Sequence, residues 1–220
     1  MDFDQNWLAD KLMILIPLIL SLSVHECAHA WAAWKLGDDT ARLLGRMTIN
    51  PLVHIDPLGT VILPLLGVPF GWAKPVPVNP LRFTHRVSMR TGMMLTAIAG
   101  PLSNLAIALG CTLLVVVAIR INPAAVRPAA PLGHLLRLLI CMNVMLAVFN
   151  MLPIPPLDGS RVVDALMPHA LRPAWEQICQ IGPFALLAVL LLPRLAEVSI
   201  LAGPVNFVMS LLGWLVETLT

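Results

Sequence analysis

Residues 12–34 read LMILIPLILSLSVHECAHAWAAW. A bilayer crossing needs about 20 apolar residues in a helix, and this stretch supplies them. Trp7 precedes it, and Trp31, Trp34 and Lys35 close it. Tryptophan favours the membrane–water interface. As a helix, Trp7 to Trp34 covers about 40 Å, close to a bilayer with its headgroups. Pro17 is placed to kink it. Into this apolar helix the sequence sets two histidines and a glutamate, His25, Glu26 and His29.

The rest of the chain agrees with a membrane reading. Of 220 residues, 58% are apolar and 12% charged, and mean hydropathy is +0.85. Soluble domains are about 45–50% apolar and about 25% charged. That excludes an ordinary soluble fold, and disordered chains are poor in apolar residues. A net charge of +2 gives no nucleic-acid groove. The expected fold is an all-α polytopic membrane protein with about five to six transmembrane helices. No linker separates the apolar blocks, so residues 1–220 are read as one membrane-embedded domain.

Further long segments cover 91–119 and 132–152, and two more run at about 181–192 and 196–219. Residues 55–70 differ. They are apolar but short, and hold Pro57, Gly59, Pro64, Gly67 and Pro69. That suits a re-entrant segment, which is tolerated at membrane depth only beside protein or a wet cavity. Residues 71–80, GWAKPVPVNP, read as an extended element, because Pro75, Pro77 and Pro80 forbid helix.

Basic residues set orientation. If 55–70 does not cross, Lys35, Arg42, Arg46, Lys74, Arg82, Arg86 and Arg90 share one face, joined by Arg161 and Arg172. Lys11, Arg120, Arg127, Arg137 and Arg194 lie on the other. The richer face is assigned to the cytoplasm, which puts the N-terminus outside a multi-pass cell (inner) membrane. The N-terminus is acidic, unlike a secretory signal, so the first segment is expected to remain. The four cysteines stand far apart with no CxxC pair, and imply no disulfide framework.

His25-Glu26-Cys27-Ala28-His29 is an HExxH motif. Histidines at i and i+4 share one helical face and can bind one zinc ion. The glutamate between them reaches a water on the metal and can take its proton. From this composition the motif would arise by chance about three times in a thousand. Ionisable residues inside an apolar helix are costly and mark function.

A catalytic zinc takes three protein ligands. Asp158 follows the third long segment in NMLPIPPLDG (150–159), where proline-broken backbone turns an acid back towards the helices. His54 and Asp56 are rivals, although both also suit hydrogen bonds that fix a turn. Topology favours Asp158. His29 lies about 7 Å along the helix from Trp34, just under the cytoplasmic surface. Two crossings, 91–119 and 132–152, return Asp158 to that leaflet, provided 55–70 does not span.

HECAH, NPLVHIDPLGT (50–60), GWAKPVPVNP (71–80), AGPLSN (99–104) and NMLPIPPLDG (150–159) together resemble the site-2 protease family of intramembrane zinc metalloproteases. The likeness is to its short bacterial branch without a PDZ domain and covers about residues 12–165, the catalytic core, with helices of about 181–219 after it. The resemblance implies one Zn2+ per chain on His25, His29 and Asp158, with Glu26 as general base. It implies that Asn150 holds substrate or the oxyanion, and that residues 71–80 form a β-element on the cytoplasmic side near the substrate. Pro75 and Val76 are the expected substrate contacts there, offering an edge to an unwound strand. The implied partner is a single-pass membrane protein already trimmed by another protease. Substrate identity and oligomeric state are not encoded legibly. Asn104 and Asn143 read as interhelical hydrogen-bonding residues.

Two other classes fit the sequence less well. A transporter would carry inverted repeats and midplane ligands, which the sequence lacks. An inactive helix-binding relative would not need Glu26.

Overall fold

The computed structural model describes residues 5–65, 72–84, 86–196 and 201–220. Among the described residues eight α-helices follow one another: α1 (Gln5–Lys35), α2 (Thr40–Leu43), α3 (Leu63–Leu65), α4 (Met89–Ile121), α5 (Pro131–Asn150), α6 (Asp158–Leu166), α7 (Arg172–Ala196) and α8 (Ala202–Leu219). The fold is all-α and of membrane type. Four helices among the described residues are long and apolar enough to cross a bilayer: Leu12–Lys35 of α1, α4, α5 and α8. They are four of the five to six expected. The 25 residues of α7 also have the length of a crossing.

Helices α4 and α5 fall within two residues of their expected bounds. Helix α7 begins nine residues before the expected 181, because its opening turns are amphipathic rather than apolar. Trp175 is buried there while Glu176 is exposed. Helix α8 begins at Ala202 rather than 196, and residues 197–200 lie outside the described residues.

Helix α4 is the axis of the bundle, with α1, α5, α6 and α8 all packed on it. Its buried face carries small residues, among them Gly92, Thr96, Ala97, Gly100, Asn104 and Ala108. Small side chains let membrane helices approach closely. Towards one end, Ala108 and Cys111 of α4 meet Leu136, Ile140 and Val144 of α5 and Val205 of α8 in an apolar cluster. Towards the other, the same interface turns polar and builds the site.

Helix α6 lies in a stretch that the apolar pattern does not mark. Asp158 is its first residue, where the helix dipole favours an acid. The start of α6 nearly touches the end of α5. A methyl carbon on Gly159 would lie 2.5 Å from the Leu152 carbonyl oxygen, so only glycine fits.

The 55–70 region begins as a wide helical turn, Pro57–Ile62, and continues into α3. Residues 66–71, including Gly67, Pro69 and Gly71 of the expected re-entrant and β segments, lie outside the described residues, as does His85. No strand forms among the described residues. Residues 72–79 are not helical, yet they build no ladder, since Pro75 and Pro77 bring no N–H to one. At the end of α1, Lys35 lies 4.7 Å and Arg42 5.2 Å from the Trp34 ring, cation–π contacts suited to an interfacial belt. All four cysteines are free.

Candidate metal centre

Ser21, His25 and His29 recur every four residues and form one stripe on α1. Asn104, Gly100 and Thr96 form the matching stripe on α4, which runs antiparallel to it. The His25 Nδ1 lies 2.6 Å from Asn104 Oδ1, and the His29 Nδ1 lies 2.7 Å from the Thr96 carbonyl oxygen. Gly100 sits between the two rings. A methyl carbon there would lie 2.5 Å from Cε1 of His29 and 2.6 Å from Cε1 of His25. The rings fit against α4 because that residue has no side chain.

Hydrogen bonding fixes where the protons are. Asn143 Nδ2 donates to the Leu139 carbonyl and to Ser21 Oγ, both at 2.9 Å. Its Oδ1 must therefore accept, and it does so from Asn104 Nδ2 at 2.8 Å. That leaves Asn104 Oδ1 to accept from His25, so His25 donates through Nδ1. His29 likewise donates through Nδ1, because a carbonyl can only accept. With Nδ1 as the donor, Nε2 is the nitrogen each ring leaves for a metal. Asn104 and Asn143 are fully buried. A buried polar chain of this kind holds only when every member is satisfied.

The two Nε2 atoms are 3.0 Å apart. Asp158 Oδ2 lies 3.2 Å from the first and 3.3 Å from the second. Three potential ligand atoms thus converge. Asp158 Oδ2 is buried and has no hydrogen-bond donor. A bound cation would satisfy such a buried cluster. A tetrahedral zinc with arms of about 2.0–2.1 Å has ligand–ligand edges of about 3.3–3.4 Å. The observed edges of 3.0–3.3 Å lie at or a few tenths of an ångström inside this, and the residues fit the metal. The second histidine nitrogens are bonded as ligating histidines require. Among the described residues, His25, His29 and Asp158 are the group able to hold an ion.

His54 and Asp56 are not brought to this cluster. His54 Nε2 donates to the Thr48 carbonyl at 2.8 Å. Asp56 Oδ1 accepts from the amides of Leu58 and Gly59 at 3.1 and 2.7 Å, capping the Pro57–Ile62 turn.

A cavity of about 950 Å³ opens at the cluster. Glu26 and Asn150 line it with His25, His29 and Asp158. Asn150 Nδ2 donates to the Leu146 carbonyl at 3.0 Å. Pro75 and Val76 form part of the wall, and so do Phe149 of α5 and Leu186 of α7. Glu26 Oε2 accepts from the Val76 amide at 2.9 Å. Arg161, one turn after Asp158, also lines the cavity.

The sequence profile of peptidase family M50 matches residues 116–192. "Putative zinc metalloprotease YwhC" of Bacillus subtilis (strain 168) is 40% identical over 181 residues, covering 82% of this chain and 80% of that protein. The chain belongs to peptidase family M50, the site-2 protease family. "Putative zinc metalloprotease Rip2" of Mycobacterium tuberculosis (strain ATCC 25618 / H37Rv) is 32% identical over 82% of this chain and 66% of its own length. Its counterpart in Mycolicibacterium smegmatis (strain ATCC 700084 / mc(2)155) is 31% identical over 72% of this chain and 57% of its own. No solved structure matches. As an M50 member the chain is a multi-pass membrane zinc metalloprotease, in contact with the lipid bilayer.

Several residues of this M50 site escape a motif reading. Gly100 and Thr96 bear on the histidines through an absent side chain and a main-chain carbonyl, which no residue type announces. Their spacing was the available signal, since Thr96, Gly100 and Asn104 repeat every four residues in an otherwise apolar helix. Arg161 lies just past the quoted NMLPIPPLDG stretch, and only the cavity reveals it.

Proposed function

We propose that this protein is an intramembrane zinc endopeptidase that cuts single-pass membrane proteins in or near their transmembrane segments, as a step of regulated intramembrane proteolysis. His25, His29 and Asp158 hold one zinc per chain. When bound, zinc supplies Lewis-acid chemistry, lowering the pKa of a water ligand towards about 7 and polarising the scissile carbonyl. Glu26 acts as general base: its carboxylate takes a proton from the attacking water and delivers it to the leaving amine nitrogen. Asn150 offers a side-chain amide to the substrate backbone or to the developing oxyanion. Pro75 and Val76 contact the substrate from the 72–79 side with apolar groups and carbonyl oxygens.

The observation that carries this reading is the convergence of three potential ligand atoms and one additional carboxylate on one cavity. A ligand set alone would serve storage or transport. The added Glu26, one residue from a ligand and not one of the three, supplies the proton relay that hydrolysis requires. The walls are largely apolar, which suits a hydrophobic segment. That segment must unwind locally, because helical amides are bonded and enclosed.

The nine-to-five split of basic residues supports a cytoplasmic position for the site and an external N-terminus, in the cell membrane. Because α1 puts His29 about one and a half turns from Trp34, water has a short path to the site from that face.

The test is Glu26→Gln in detergent, with a fluorescence-quenched transmembrane peptide as substrate. Zinc content stays at the wild-type level and cleavage falls about 10²- to 10⁴-fold. Cleavage at the wild-type rate overturns the assignment. Joint loss of zinc and activity would make Glu26 a ligand or a structural group.

A further inference from the structure

We infer that the main-chain amide of Val76 positions the Glu26 carboxylate, so that the 72–79 segment aims the base. The inference rests on the reading of Glu26 as base.

Glu26 and Val76 are fifty residues apart in sequence, yet Val76 N–H donates to Glu26 Oε2 at 2.9 Å. Oε1 has no protein partner among the described residues, which leaves it for the proton that moves. A glutamate carboxylate has three rotatable bonds behind it. One charge-assisted hydrogen bond from a fixed amide selects among those rotamers.

The amide is fixed because the segment is stapled along its length. Alternate donors turn the same way in extended backbone. Trp72 N–H goes to the Gly59 carbonyl at 3.3 Å and Lys74 N–H to the His54 carbonyl at 2.8 Å. Val76 N–H is third in this row and reaches Glu26. Arg46 Nη2 holds the Lys74 carbonyl at 2.7 Å. Further on, Asn79 N–H donates to Asp38 Oδ2 at 2.6 Å, and Asp38 is fully buried. Pro77 holds Val76 extended, since a residue before proline is barred from the helical region. The same bond means that Val76 has no amide to give a substrate strand. Pro75 and Pro77 have none either. The segment's middle therefore serves the protein's own carboxylate first.

The test uses the zinc-loaded full chain in detergent. Val76→Pro removes the N–H, and Val76→Ala keeps it as reference. Hydrogen exchange reads the bond directly, because the prolines on either side of Val76 carry no amide. Exchange at Val76 speeds up in Glu26→Ala. With the quenched transmembrane peptide, kcat of Val76→Pro falls about ten- to hundred-fold below that of Val76→Ala, with equal KM and zinc content. Arg46→Gln, outside the cavity, lowers kcat in the same direction by less. Equal kcat for the two Val76 variants overturns the inference. So does a loss confined to KM, which would mean substrate docking, or a rise in kcat, which would mean that the contact restrains the base. Unchanged exchange in Glu26→Ala also overturns it. If Glu26→Gln cleaves normally while the exchange difference persists, the base assignment fails and the contact stands.

Discussion

Asn104 of α4 accepts a hydrogen bond from the Nδ1 of His25 on α1 at 2.6 Å. The bond is the end of a buried chain through Asn143 to Ser21. It makes Nδ1 the donor and gives His25 one orientation, with Nε2 turned to Asp158. Interhelical bonds of this kind average about 0.6 kcal/mol in membranes and reach about 1.7. On the proposed zinc assignment their larger effect is on the metal, because the partner of a ligating histidine sets its basicity and aim.

Asn104→Ala removes that partner and leaves His25 Nδ1 buried without an acceptor. Zinc affinity falls about 10- to 100-fold, measured by competition with a chromophoric chelator. Affinity equal to wild type would show that the α1–α4 packing alone aims the ring.

Gly100→Ala drives a methyl group into both histidine rings. Overpacking costs about 1–3 kcal/mol, and the displaced rings lose zinc. Gly110 lies on the same helix with nothing within 4 Å of its missing side chain. Gly110→Ala keeps zinc at full occupancy. Metal content and thermal unfolding of the two variants, side by side, separate crowding at the site from a general effect of alanine in α4.

Asp56→Ala loses a side chain that caps the Pro57–Ile62 turn. Loss of such a cap costs about 1 kcal/mol and leaves zinc content at the wild-type value. A fall in zinc would return Asp56 to the ligand set.

Much of this architecture is legible in the sequence, and particular residues show where legibility stops. The HExxH stripe, the proline-broken approach to Asp158 and the long apolar helices α4 and α5 could all be read, since each rests on spacing along one element. Helix α6 and the early start of α7 could not. Their polar turns dilute the apolar signal, and tertiary contacts hold them. The 72–79 segment was legible as non-helical from its prolines, but not as a partner of Glu26, because a main-chain amide has no residue type. Gly100 is similar: its role is the absence of a Cβ, which matters only once α1 lies against α4.

The most direct measurement is the zinc content of detergent-purified protein, wild type beside Asp158→Ala. His25, His29 and Asp158 come from helices far apart in sequence, and their joint hold on one ion is the central claim. Wild type carries one zinc per chain, and Asp158→Ala loses it or binds it far more weakly, with helical content unchanged. Wild-type protein without zinc, or zinc indifferent to Asp158, would contradict the site as assembled here.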